Sequence, residues 1–216
     1  MKQRHILFDL DGTLTDSMTG ITRAVQYTLR RYGIEADDLN ALTPFVGPPL
    51  ADSFRRYYNF SEKDARDAVP VFREYYNVKG WMENAPYEGV GEMLKRLSRG
   101  GKKLYVATSK PESMARQVLR YFELDSNFIF IGGATEDESR VEKDDVIRYV
   151  MENCGLTDFE DAVMVGDRHN DIEGAKKAGI ASVGVLYGYG SREELEAAGA
   201  KILAASVKEL GEILLA

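Results

Sequence analysis

The chain predicts an α/β fold, a doubly wound parallel sheet with an α-helical domain inserted after its first strand. Three observations carry that prediction. Short apolar runs break abruptly into acidic or hydroxyl residues at Asp9, Thr108 and Asp167. From about Val90 onward strand-like and helix-like stretches alternate, which is the pattern of a parallel sheet with crossover helices. Residues 19 to 79, by contrast, carry only helical periodicity.

The first strand is the run Ile6-Leu7-Phe8, which ends in Asp9-Leu10-Asp11-Gly12. Open α/β sheets bind ligands beyond the carboxyl ends of their strands, so Asp9 and Asp11 stand where chemistry is done. Gly12 permits a sharp turn and a close backbone approach to a ligand. Two acids without a basic neighbour repel each other. A divalent cation with hard oxygen ligands relieves that repulsion, which suits magnesium. An Asp-x-Asp-Gly string by itself is more often turn chemistry, so the rest of the chain must bear the reading out.

In the inserted block Ile21, Ala24, Val25, Leu29 and Tyr32 repeat at helical spacing until Gly33 stops the run. A second helix is predicted around residues 50 to 58, after the loop Thr43-Pro44-Phe45-Val46-Gly47-Pro48-Pro49. The third starts at the capping pattern Ser61-x-x-Asp64 and carries Ala65, Ala68, Val69, Phe72, Tyr75 and Tyr76 on one face. Pro70 is expected to kink or divide it. Asn84-Ala85-Pro86, Gly89 and Gly91 suit the returning connection as a hinge.

Beyond the insert, Lys103-Leu104-Tyr105-Val106-Ala107 reads as a strand running into Thr108-Ser109-Lys110-Pro111. Pro111 fits the first turn of a helix whose apolar face is Met114, Ala115, Val118, Leu119 and Phe122. Lys143 opens a helix patterned by Val146, Ile147, Val150 and Met151. Further strands are predicted at residues 128–131, 162–165 and 182–186. Asp167 follows Gly166 at a strand end, and Asp171 lies four residues on, one helical turn away, a spacing that lets both face one point. Ser191-x-x-Glu194 and Ser206-x-x-Glu209 cap the last two helices. His5 is expected at the surface before the strand, and His169 in a loop.

Composition is that of an ordinary soluble domain. The 216 residues are 44% hydrophobic and 29% charged, enough for one core plus a small second domain. The formal charge is −7 with no basic stripe, which disfavours nucleic-acid or anionic-membrane partners. Cys154 is the single cysteine, expected in the core, so no disulfide framework exists. No signal peptide or membrane span is read, and a cytoplasmic location is expected.

The four strand-end motifs together resemble the haloacid dehalogenase-like (HAD) superfamily, with a Rossmann-like core and a helical cap inserted after the first motif. The resemblance divides the chain into a catalytic core, 1–15 and 84–216, and a cap, 16–83. It makes Asp9 a nucleophile and Asp11 a general acid/base. It gives magnesium to Asp9, the backbone carbonyl of Asp11 and Asp167, with Asp171 behind them as an outer carboxylate. The transferring phosphoryl oxygens are expected on Thr108, Ser109 and the amides of Leu10 and Asp11, with Gly12 beside them in the phosphate-binding turn. Lys143 is the phosphate-neutralising lysine. Its helix lacks the proline that commonly follows that lysine, and Lys110, which proline does follow, is the rival.

The reaction implied is hydrolysis of a small phosphate monoester through an aspartyl phosphate. Asp11 and Asp167 argue against a halide-releasing relative, which needs neither. The overall look is that of phosphoglycolate phosphatase-like members, a label that also covers enzymes of nucleoside monophosphates, the 5'-nucleotidases. A sugar-phosphate mutase is less attractive because the cap loop around Gly47 has two prolines and no arginine. Phe45, Gly47 and Arg55 are the candidate selectivity residues. The partner expected is therefore a small phosphorylated metabolite, met by a monomer. A receiver domain, which is phosphorylated on aspartate as a switch, is the non-enzyme alternative; receivers are shorter and lack a cap and an acid two residues after the phosphorylated one.

Overall fold

The computed structural model describes residues 1–137 and 139–216. Along the chain β1 (His5–Phe8) is followed by the short strand β2 (Thr15–Asp16), helices α1 (Met18–Arg31), α2 (Leu50–Tyr58) and α3 (Glu62–Tyr76), and the short strand β3 (Ala85–Pro86). Then come α4 (Val90–Arg99), β4 (Lys103–Pro111), α5 (Glu112–Tyr121), β5 (Phe130–Ala134), α6 (Lys143–Asn153) and β6 (Ala162–Gly166). The chain closes with α7 (His169–Ala178), β7 (Ala181–Val185), α8 (Arg192–Ala198), β8 (Leu203–Ala204) and α9 (Val207–Leu215). Met1–Thr15 and Pro86–Ala216 form one compact unit, and Asp16–Ala85 forms another. β2 and β3 form a separate two-stranded sheet.

The larger unit holds a six-stranded sheet in the order β5-β4-β1-β6-β7-β8, with parallel pairing throughout. It is the doubly wound α/β sheet that the strand–helix alternation predicts. β1 lies in its interior, and Ile6, Leu7 and Phe8 have no exposed surface, which is why the strand reads as an unbroken apolar run. Leu7, Tyr105, Ala107 and Met164 share one face with Val146, Ile147, Val150 and Met151 of α6 and Ala175 and Ala178 of α7. Ile6, Phe8, Val106, Val163 and Val165 alternate with them and fall on the opposite face, also fully buried. Register then sets the site. Phe8 is level with Val106 on one side and Val165 on the other, so the residues just beyond, Asp9, Thr108 and Asp167, emerge at one edge.

Several elements differ from expectation. β5 starts at Phe130 and runs through Gly132 and Gly133, whose lack of side chains weakens a strand signal. Pro111 is the N-cap of α5, one position before its first turn. His5 is the first residue of β1 rather than a surface residue ahead of it. Its Nδ1 lies 3.0 Å from the Tyr105 hydroxyl, whose pKa burial pushes up to about 12. Cys154 is the C-cap of α6, half-buried and packed on the core beside it.

The smaller unit packs α1 against α3 and a 3-10 helix, Leu39–Phe45, that spans part of the expected loop and includes Pro44. α3 continues as one helix through Pro70. That proline lies on the exposed face, away from the packed side of the helix. Phe45 is 2% exposed and packs on Phe54, Tyr57 and Tyr58 at ring distances of 5.0, 5.7 and 5.9 Å. Among the described residues, no helix is long and apolar enough to cross a membrane.

Candidate active site

Each expected catalytic side chain of the larger unit sits at the carboxyl edge of the sheet. Asp9 leaves β1, held by its N–H on the Val165 carbonyl at 2.9 Å. Its carboxylate lies 2.9 Å from the Lys143 ammonium, which also lies 2.8 Å from Asp171 and donates to the Ala107 carbonyl at 3.2 Å. Lys143 reaches this point because α6 opens with it and Gly174 lets α7 pass close to its stem. Lys110 serves a different partner, since its ammonium is 2.6 Å from Asp11 Oδ2. The two lysines that the sequence leaves as rivals are thus divided between the two aspartates.

Carboxylate oxygens of Asp9, Asp167 and Asp171 lie within 4.8 Å of one another, all from buried residues. Burial pushes the Asp9 carboxyl up to about 6, assisted by Asp171 and opposed by Lys143 and Thr108. Asp167 is also held well above the usual carboxylate range, by burial and by the charges of Asp171 and Asp9. The Lys143 ammonium pairs with Asp9 and Asp171, so ionising all three buried carboxyls leaves negative charge uncompensated. A divalent cation with oxygen ligands fits that donor set.

Gly12 carries the turn after Asp11 with φ +86°, and a Cβ there would stand 2.2 Å from Asp167 Oδ2. The Gly12 N–H donates to the Thr15 carbonyl at 2.8 Å. Its contribution is the turn. Thr108 is buried at the end of the β4 run and accepts the Lys110 N–H at 3.3 Å; Ser109 is half-buried beside it, and Leu10 is fully buried. In the smaller unit Arg55 is exposed and 3.8 Å from Asp52, Gly47 takes φ +102°, and Phe45 belongs to that unit's own core.

The sequence reading missed the connection after β7. Asp167 Oδ2 accepts the Tyr189 N–H at 2.8 Å, Thr13 Oγ1 donates to Oδ1 at 3.2 Å, and the Tyr187 hydroxyl donates to the Thr13 carbonyl at 3.0 Å. Gly188 is obligatory here, because a Cβ would lie 2.3 Å from the Gly12 carbonyl and 2.4 Å from Asp167 Cβ. The Tyr-Gly-Tyr-Gly string at 187–190 was the signal available, two glycines just past a strand end. His169 opens α7 rather than lying in a loop.

A haloacid dehalogenase-like hydrolase family model matches residues 6–185, and the chain belongs to that family. It is 45% identical over 197 residues to a Pseudomonas aeruginosa protein named 5'-nucleotidase, covering 91% of this chain and 89% of the relative. It is 37% identical to the Mycobacterium tuberculosis protein named tyrosine-protein kinase PtkA (97% of this chain, 72% of the relative), and 32% identical to an Aquifex aeolicus phosphoglycolate phosphatase (86% of each). A crystal structure of a predicted phosphatase from Clostridium acetobutylicum superposes with a TM-score of 0.97 at 46% identity, covering 100% of this chain and 99% of that one.

Proposed function

We propose that this hydrolase is a magnesium-dependent phosphatase of small phosphate monoesters, working through a phosphoryl group carried on Asp9. The observation that carries the reading is the pairing of Lys143 with both Asp9 and Asp171, with Asp11 two residues beyond Asp9 at the same sheet edge. Asp9 attacks phosphorus in line, forming a P–O bond to its carboxylate as the bond to the leaving oxygen breaks. Asp11, as general acid, gives a proton to that oxygen and then, as general base, takes one from the water that cleaves the acyl phosphate. Thr108, Ser109 and the Leu10 and Asp11 amides orient the phosphoryl oxygens, and Lys143 neutralises them. Asp9, the Asp11 carbonyl and Asp167 would hold magnesium, which supplies further positive charge to the same oxygens.

Two substrate readings stand side by side. The relative at 45% identity named 5'-nucleotidase favours a nucleoside monophosphate, whereas the phosphoglycolate phosphatase at 32% favours a small acid phosphate. Selection is assigned to the smaller unit, the cap, around Phe45, Gly47 and Arg55. The deciding experiment is phosphate release from a panel of monoesters with magnesium. Catalytic release from AMP, CMP or phosphoglycolate supports the reading. A single stoichiometric phosphorylation of the chain, or phosphoryl transfer to a tyrosine peptide without release, would overturn it.

The raised carboxyls predict a pH-dependent response to metal. A carboxyl whose folded pKa lies above its ordinary 3.8 adds stability that is complete below that value and lost as pH rises through about 6, here through Asp9. The metal-free protein is therefore penalised at neutral pH, and a bound divalent cation removes the penalty. Calorimetry should show magnesium raising Tm more at pH 7.5 than at pH 5.0. Equal increments at the two pH values would argue against these carboxylates as ligands.

A further inference from the structure

The two residues after Asp167 are held from outside the cluster. Glu194 Oε1 accepts three N–H groups: Arg168 Nε at 2.8 Å, the His169 backbone N–H at 3.0 Å and His169 Nδ1 at 2.9 Å. Arg168 is nearly buried, with 8% of its side chain exposed, so it is packed in place and not a swinging surface arm. Although burial opposes it, bonding to His169 and Arg168 holds the Glu194 carboxyl down at about 2. Glu194 is itself anchored, since its own N–H donates to Ser191 Oγ at 3.1 Å at the start of α8.

Arg168 and His169 lie between Asp167 and Asp171. The Arg168 N–H donates to Asp171 Oδ2 at 3.0 Å, and Asp171 in turn meets Lys143. Asp167 and Asp171 flank the β6–α7 turn and, with Asp9, form the buried carboxylate cluster, whose mutual repulsion acts to move them apart. A fixed acceptor that pins the two intervening residues resists that spreading.

We propose that Glu194 is a positioning residue for the metal-holding carboxylates, acting through Arg168 and His169 on the placement of Asp167 and Asp171. This rests on the metal reading above. Groups that orient ligands without touching the ion typically change metal affinity by about 10–100-fold when removed, and Glu194 acts one step further out, so about tenfold is expected.

The test is magnesium titration of the parent, Glu194→Gln and Glu194→Ala, followed by thermal shift and isothermal calorimetry, with kcat measured at saturating metal. Ser206→Ala is the control, because it removes the equivalent cap of α9, where Ser206 Oγ accepts the Glu209 N–H at 3.2 Å. The expected result is weaker magnesium binding in Glu194→Ala, by about tenfold, with kcat at saturation within roughly threefold of the parent. Glu194→Gln should fall between, since its amide oxygen still accepts but carries no charge, and it serves alone if the alanine variant does not fold. Ser206→Ala should lose thermal stability without changing magnesium affinity. Parent-like affinity in folded Glu194 variants, or an equal affinity loss in Ser206→Ala, overturns the proposal. A parent that shows no magnesium binding overturns the metal reading itself, and this inference with it.

Discussion

Asp9→Asn is expected to bring hydrolysis of every phosphate ester to background while the protein stays folded. The amide has no anionic oxygen to attack phosphorus, so no aspartyl phosphate forms. Folding should not suffer, because burial already disfavours the Asp9 anion and raises its pKa to about 6. The neutral isostere keeps at pH 7.5 the stability that the parent's carboxyl contributes only in acid, so the metal-free Tm should equal or exceed the parent's. Asp11→Asn should behave differently on both counts. Proton transfer contributes roughly 10²–10⁴-fold, so its deficit should be large for an alkyl ester and smaller for a nitrophenyl ester, which leaves nearly unaided. Rapid mixing with the nitrophenyl ester should give a burst and then slow turnover. It should also be somewhat less stable, because the carboxylate that faces the Lys110 ammonium at 2.6 Å becomes a neutral amide. A burst from Asp9→Asn, or equal Asp11→Asn deficits on both esters, would refute this division of labour.

Lys143→Met is expected to damage stability as well as activity. The ammonium is 3% exposed and stands within 2.9 Å of two buried carboxylates, so its removal leaves them without compensation. The loss should be about 3–5 kcal/mol, a fall in Tm on the order of 10 °C for a chain of this size. Although burial works against the charge, Asp171 and Asp9 hold the Lys143 pKa above its ordinary 10.5, so its contribution is complete at every pH below that value. The variant's deficit should nonetheless shrink as pH falls through about 6, because protonation of Asp9 removes charge that Lys143 had balanced. Activity should drop by roughly 10²–10³-fold, the usual consequence of removing one preorganised group from a developing charge. Parent-like melting at pH 7.5 would show that the pairing contributes nothing to the fold.

The sequence alone determined which residues gather at the site. Asp9, Thr108 and Asp167 were legible because each ends an apolar run, and strand periodicity and turn chemistry are local interactions visible within a few neighbours. Parallel pairing then carries those ends to one edge whatever the helices do. The caps at Ser61, Ser191 and Ser206 were legible for the same reason, each side chain accepting an N–H three residues on. Tertiary structure alone decided which charge meets which. Lys110 and Lys143 look alike in sequence, and only the end of β4 and the start of α6, packed against the same sheet, send one to Asp11 and the other to Asp9 and Asp171. Glu194 reads in sequence as the partner of the Ser191 cap, and its backbone N–H does donate to Ser191 Oγ. Its carboxylate works 26 residues away on Arg168, and Tyr189 binds Asp167 from 22 residues away. Such contacts depend on side chains brought together by packing, and no local pattern of residues encodes them.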